Sequence, residues 1–317
     1  MRSNKVKIII MLLLIAVLTV LYVFQDLNGS YHYALPRRLI KVLAMALTGV
    51  AIAYATVTFQ TISHNRILTP SIMGLDSLYM LVQTAIIFIF GSMSVLILSQ
   101  MLNFFISLIA MVVFALLLYH FMFKGDGQPI YFLLLVGIIV GTFLGSLTTF
   151  LQVLIDPNEF MNVQDKMFAS FNNVNSDLVW IALLIVVGTI AIGWTKLKEL
   201  DVLTLGRDNA RNLGVNYDGV VRTMLVLSAI LIATSTALVG PITFFGLIVA
   251  NLSYQFFNTY KHSVTITGAI LFSLIALIGG QWVIERVFSF STTLSVIINF
   301  IGGIYFIYLL LKESRSS

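Results

Sequence analysis

Polar residues are so sparse along this chain that its hydrophobic pattern is read in runs rather than in periods. The first run, 8–24, holds a single polar residue, Thr19. Others cover about 39–60, 77–123, 130–154, 178–195, 223–257, 263–284 and 292–311. A helix crosses a bilayer in about 20 residues, so two of these runs are too long for one crossing. The 77–123 run is expected to divide at Gly91-Ser92-Met93-Ser94, and 223–257 at Gly240-Pro241, because proline removes a helix donor. The pattern therefore predicts an all-α polytopic membrane protein of about ten transmembrane helices, one membrane domain over 1–317. Ten spans take roughly 200 residues and leave about 12 per connection, too few for a soluble catalytic domain. The first run follows Arg2, Lys5 and Lys7 like a signal-peptide core, but no small-residue cleavage pattern precedes Gln25, so it is expected to stay as a span.

Composition sharpens this picture. Apolar residues make up 59% and charged residues 10%, against about a quarter charged in soluble domains. The net charge of +5 is explained by loop topology before nucleic acid needs to be invoked. With the N-terminus inside and connections alternating, the inner segments hold Arg2, Lys5, Lys7, Arg66, Lys124, Lys196, Lys198, Arg207, Arg211, Arg222, Lys261, Lys312 and Arg315, which is 13 of the 18 basic residues. The outer ones are Arg37, Arg38, Lys41, Lys166 and Arg286. That bias puts both termini in the cytoplasm. Absence of cysteine excludes disulfides and thiolate metal sites, and His32, His64, His120 and His262 are too scattered for a local metal motif. No metal or cofactor is expected.

Chemistry inside the spans is meagre. Asp76, near one end of the third span, reads as a helix N-terminal acid matched to the dipole, and Glu285 with Arg286 as an interfacial pair. Spans one, five, seven and ten carry no interior charge, which argues against a proton relay or a two-carboxylate or Ser/His/Asp active site. There is no Gly-x-x-x-x-Gly-Lys-Ser/Thr loop, so ATP hydrolysis would belong to another chain. Small residues are abundant instead, with Gly137, Gly141 and Gly145 at spacings of four, as tight helix packing requires. Two connections stand out by length: a charged, helix-prone inner loop over about 196–222, and an outer loop over 156–177 with four acids and Asn172-Asn173-Val174-Asn175. Arg38 and Arg222 each precede a small-residue-rich run, and the two runs are expected to cross in opposite directions, a faint sign of inverted repeats.

Three ordered blocks then resemble a known family, the permease subunits of ABC importers for iron-siderophores, haem and vitamin B12. The first is Leu35-Pro36-Arg37-Arg38-Leu39 with Thr48-Gly49-Val50-Ala51, Gln60, Asn65 and Ile72-Met73-Gly74. The second is Leu205-Gly206-Arg207-Asp208-Asn209-Ala210-Arg211-Asn212-Leu213-Gly214-Val215-Asn216, similar to the family's cytoplasmic Leu-Gly…Ala-Arg-x-Leu-Gly-Val element. The third, Val239-Gly240-Pro241-Ile242-Thr243-Phe244-Phe245-Gly246-Leu247-Ile248-Val249, resembles Val-Gly-Pro-Ile-Gly-Phe-Val-Gly-Leu-Ile-Val. Departures are Ala34 for the usual first arginine, Asn65-Arg66 for Asn-Pro, Ala250-Asn251 for Pro-His, and Gly302-Gly303-Ile304 where the family carries a proline.

The resemblance implies a permease that performs no chemistry on its cargo. It pairs with a second permease, as homodimer or heterodimer, and works with two cytoplasmic ATP-binding subunits and an extracytoplasmic binding protein. It implies that Leu205, Gly206, Arg207, Asn209, Ala210, Arg211, Leu213 and Gly214 couple to the ATPase, and that Arg37, Arg38 and Arg286 receive acidic residues of the binding protein. Pro36, Gly49, Gln60, Asn65, Gly74, Gly240, Pro241, Gly246 and Gly302 are structural. Among cargoes, an organic chelate suits spans without convergent carboxylates better than a bare iron ion, which wants several hard oxygen ligands. A ferric siderophore of petrobactin type is the expectation, with haem or vitamin B12 as alternatives. An ion-coupled secondary transporter and an assembly subunit are the rivals from other classes; neither needs an ATPase dock.

Overall fold

In a lipid interior every backbone N–H and C=O must find an internal partner, and long apolar runs without strand alternation meet that demand only as helices. The computed structural model describes residues 2–25, 31–123, 130–288 and 292–314, and all its regular elements there are helical. Lys124 and Arg315, counted above for orientation, lie outside the described residues. In chain order the helices are α1 (Arg2–Phe24), α2 (Tyr31–Ile62), a 3-10 turn (Pro70–Met73), α3 (Leu75–Phe90), α4 (Val95–Leu98), α5 (Gln100–Phe123), α6 (Ile130–Leu154), α7 (Pro157–Lys166), α8 (Ser176–Trp194), α9 (Leu197–Leu203), α10 (Arg207–Asn212), α11 (Tyr217–Val239), α12 (Phe245–Phe257), α13 (His262–Arg286) and α14 (Leu294–Ser314).

The ten apolar runs each become one helix. Eight are long and apolar enough to cross a membrane, while α3 and α12 are shorter. At 1.5 Å per residue those two reach only about 24 and 20 Å, short of a ~30 Å hydrocarbon core. Each is preceded by broken backbone, the 3-10 turn with Gly74 at φ 92° before α3 and Gly240 at φ 101° before α12. The division of 77–123 falls where expected but is longer than four residues, because Gly91 ends α3 and the short α4 intervenes before Gln100. The second run extends back to Tyr31, so Pro36 lies inside α2 at its sixth residue, where it removes the N–H that would bond the His32 carbonyl. The inner loop closes earlier than 222, since Asn216 caps α11 and Arg222 belongs to that helix.

Burial sorts the helices. α2 and α11 pack along each other and form the centre, and α1, α8, α12 and α13 also pack on α2. Tyr54, Phe59 and Met45 of α2 and Met224 of α11 are fully enclosed. The periphery is the reverse, with Leu13, Phe143, Leu184 and Phe300 all more than 60% exposed, an apolar exterior that water would not tolerate at this density. Four hydroxyls inside the helices are satisfied locally, Thr61, Thr148, Thr189 and Thr234 each donating to the carbonyl four residues back.

Candidate functional site

The segment between α8 and α11 is a folded unit. Gly206, at φ 91°, turns the chain from α9 into α10, and Gly214, at φ 81°, ends the unit with Gly214 N–H on the Arg211 carbonyl and Val215 N–H on that of Ala210. Both conformations lie in the left-handed region where only glycine is unstrained. Leu200, Leu203 and Ala210 anchor the unit in the core, while Leu205 and Leu213 stand exposed beside it. Arg207 and Arg211 converge on one carboxylate. Arg207 Nη2 donates to Asp218 Oδ1 at 3.1 Å and Arg211 Nη2 to Oδ2 at 2.5 Å. Asp218, which sequence reading passed over, is thus the internal partner of both arginines, and its place in the first turn of α11 also suits the helix dipole. Next to Gly214 lies a groove of about 460 Å³ between Lys196, Glu199, Asn216 and Thr223.

A second missed contact joins this unit to the bundle. Asp201 of α9 accepts from the His262 backbone N–H at 2.8 Å and lies 2.6 Å from Nδ1 of its ring. The other ring nitrogen, Nε2, lies 2.7 Å from Thr61 Oγ1 at the end of α2. Three helices meet on one imidazole. No spacing rule links positions 61, 201 and 262, so only the fold could bring them together.

At the opposite end of α2, the predicted arginines surround the end of α1. Arg38 Nη1 donates to the carbonyls of Val23 at 2.9 Å and Gln25 at 2.6 Å, and Arg286 Nη2 donates to that of Gln25 at 3.0 Å. These are the orphan acceptors of a helix C-terminus, where a cation is also favoured by the dipole. Arg37 is exposed on the neighbouring face of α2. Glu285 does not pair with its neighbour Arg286 as read from sequence. It accepts instead from Tyr22 at 2.9 Å and Gln281 at 3.0 Å, with Lys41 Nζ 3.6 Å away.

Residues of the first and third blocks meet on one carbonyl. Gln60 Nε2 and Asn251 Nδ2 both donate to Arg66 O, at 2.7 and 3.0 Å, while Asn65 Oδ1 accepts from Ile67 N–H at 2.8 Å to set the turn. The departure at Asn251 therefore has a structural use. Asp76, in the first turn of α3 as expected, accepts from Thr243 Oγ1 at 2.9 Å, which ties the break before α3 to the break before α12. The structural glycines mark close approaches. A Cβ on Gly49 would stand 2.7 Å from Ser273 Oγ, one on Gly74 2.8 Å from Gly141 Cα, and one on Gly240 3.0 Å from Ala169 Cα. Gly246 presses on Thr56 and Gly302 on Phe244. Gly137 also meets Met73, but Gly145 has nothing within 4 Å and takes no part in that packing. Among the described residues no three His, Cys, Asp or Glu side chains are grouped to hold a metal ion.

Comparison with known proteins agrees with this arrangement. Residues 6–312 match the FecCD transport family. The petrobactin import permease YclO of Bacillus subtilis (strain 168) is 59% identical over 99% of both chains. The petrobactin import permease FatC of Bacillus anthracis is 36% identical over 90% of this chain and 81% of its own. A solved inward-facing metal-chelate type ABC transporter shares the fold, with TM-score 0.82 at 20% identity, covering 98% of this chain and 99% of that one. Ten apolar helices, two of them preceded by a positive-φ glycine, and a folded loop before α11 are thus found in a chain that belongs to the FecCD transport family.

Proposed function

We propose that this chain is the membrane-spanning permease of a binding-protein-dependent ABC importer that carries a ferric siderophore of petrobactin type. The observation that carries the reading is the 59% identity with a petrobactin import permease along both chains end to end. The protein is a transport subunit, not an enzyme, and resides in the cell membrane. It works with an ATPase and a binding protein, and ATP is hydrolysed elsewhere because this chain has no P-loop.

In the proposed assembly two permeases form the pore and two ATPases bind beneath it. The folded unit from α9 to Gly214 docks on the ATPase. Its exposed Leu205 and Leu213 offer the apolar contact, and the arginines held by Asp218 fix its shape. Both termini face the cytoplasm, in keeping with the basic bias of the inner segments. On the outer side Arg37, beside Arg38 and Arg286 which also cap the end of α1, presents a cationic edge to acidic residues of the binding protein; arginine suits such bidentate contacts.

Deleting the gene should abolish growth on ferric petrobactin as sole iron source and leave haem use intact. Uptake should be blocked by vanadate and not by an ionophore. Loss of haem or cobalamin uptake with all siderophore-dependent growth retained would overturn the cargo, and vanadate-insensitive uptake would overturn the energy source.

A further inference from the structure

Within this chain the connection from α6 to α8 closes over a cavity of about 490 Å³. It is bounded by α3, α5, α7, the start of α8 and the end of α11 at Gly240. That volume is typical of small-molecule sites, which span about 300 to 1,000 Å³. Two of its wall residues with polar side-chain atoms are more than nine-tenths buried, Tyr79 at 4% and Asn103 at 6% exposure. Asn103 is fixed by a reciprocal amide pair with Gln83, 3.0 Å in each direction, and Gln83 also donates to Ser107 at 2.8 Å. Tyr79 is different. Its hydroxyl has no protein hydrogen-bond partner among the described residues, and it is not one of the sealed orphan atoms of the core, so it borders the cavity. A buried phenol ordinarily finds a partner, so this one is left for something that enters.

Lys166, at the end of α7, is half-buried on the same wall and forms no ion pair among the described residues. Burial pushes its ammonium below the ordinary lysine value, and the charge of exposed Asp165 opposes that shift. A partly dehydrated cation without a paired carboxylate gains most from an incoming anion. Gln100, whose Nε2 donates to the Asn173 carbonyl at 3.4 Å, and Asn173 also line the cavity.

We infer that this cavity binds a carboxylate of an oxygen-rich organic anion, with the Tyr79 hydroxyl and the Lys166 ammonium as the recognising groups. The inference rests on the reading above, under which the ligand is the carboxylate-bearing part of the ferric siderophore, held inside one permease as it leaves the binding protein. Both recognising groups can donate to a carboxylate, and Asp165, which also lines the cavity, is exposed to solvent and makes no ion pair with Lys166.

The test uses full-length permease alone, in nanodiscs of phosphatidylethanolamine and phosphatidylglycerol, titrated with citrate and, in a parallel arm, with catechol. Saturable citrate binding is expected. It should weaken about tenfold in Lys166→Gln, as loss of one charge-assisted hydrogen bond implies, and severalfold in Tyr79→Phe, and Lys166→Arg should restore it. Gel-filtration profiles of the variants report folding. No saturable citrate binding, equal affinity in both folded variants, or binding of catechol in place of citrate would overturn the site. If citrate binds as described but the deletion strain keeps growing on ferric petrobactin, the cavity stands and the cargo falls. If growth is lost but citrate does not bind, the cavity alone falls.

Discussion

Asp218 shows how a charge is assigned by its neighbours. Arg207 and Arg211 lie one helical turn apart, and the sequence displays them as two surface cations available to a partner chain. In the fold each holds one oxygen of Asp218, with all three side chains about a third to a half exposed. Exposed pairs of this kind contribute about 0–1 kcal/mol each, so their worth lies in orienting the unit rather than in holding the protein together. Asp218→Asn should leave the unfolding temperature within a few degrees of wild type while lowering uptake and permease-stimulated ATP hydrolysis. Arg211→Gln should add little in that background, because its partner is already lost. Gly214→Val should lower the same two rates. Nothing stands within 4 Å of its Cβ position, so the cost is the left-handed backbone, about 1–2 kcal/mol for a residue with a side chain. Capture of cargo-loaded binding protein should persist in both. Wild-type uptake and ATP hydrolysis in Gly214→Val and Asp218→Asn would remove the coupling role of this unit.

At the level of elements, the end of α1 separates two functions that the sequence grouped. Arg37, Arg38 and Arg286 read as one set of outer cations, yet Arg38 and Arg286 grip the terminal carbonyls of α1. That helix packs mainly on α13 and exposes much of its apolar surface, so a cap on its end matters to how it is held. Arg38→Gln should lower the unfolding temperature by several degrees at any ionic strength. Arg37→Glu should weaken capture of the binding protein at low salt, with the difference shrinking as salt screens the exposed charge. Thermal scans beside pull-downs at two salt concentrations distinguish the cases; salt-independent capture by Arg37→Glu would reject its docking role. The same scale explains α3 and α12. Their apolar length was legible, but their shortness follows from Gly74 and Gly240 at positive φ, and their linkage from the Asp76–Thr243 bond.

Across the whole molecule, α2 is the hub, and it accepts neighbours on several sides because small residues let backbones come near. Gly49→Val should drive a side chain into Ser273 and Leu277 of α13 and cost about 1–3 kcal/mol of overpacking. Gly145→Val, with open space around it, should be accommodated. Yield of monodisperse protein and its unfolding temperature check both, and equal behaviour of the two variants would show that the α2–α13 approach is not tight.

Sequence by itself determined the membrane class, the ten apolar helices, the divisions at Gly91 and Gly240 and the folded unit before α11, but not the break at Gly74. All of these depend on properties local in the chain: run length against bilayer thickness, a missing proline donor, a glycine conformation. The tertiary structure decided which charges were already engaged and which glycines were pressed. Asp218 between two arginines, Asp201 and Thr61 on His262, and Gln60 and Asn251 on one carbonyl are meetings of residues from different helices. Gly141 and Gly145 look alike as sequence, and only the packing of Gly74 against one of them tells them apart. Periodicity says which residues share a face of a helix; the neighbour on that face is set by how the helices pack.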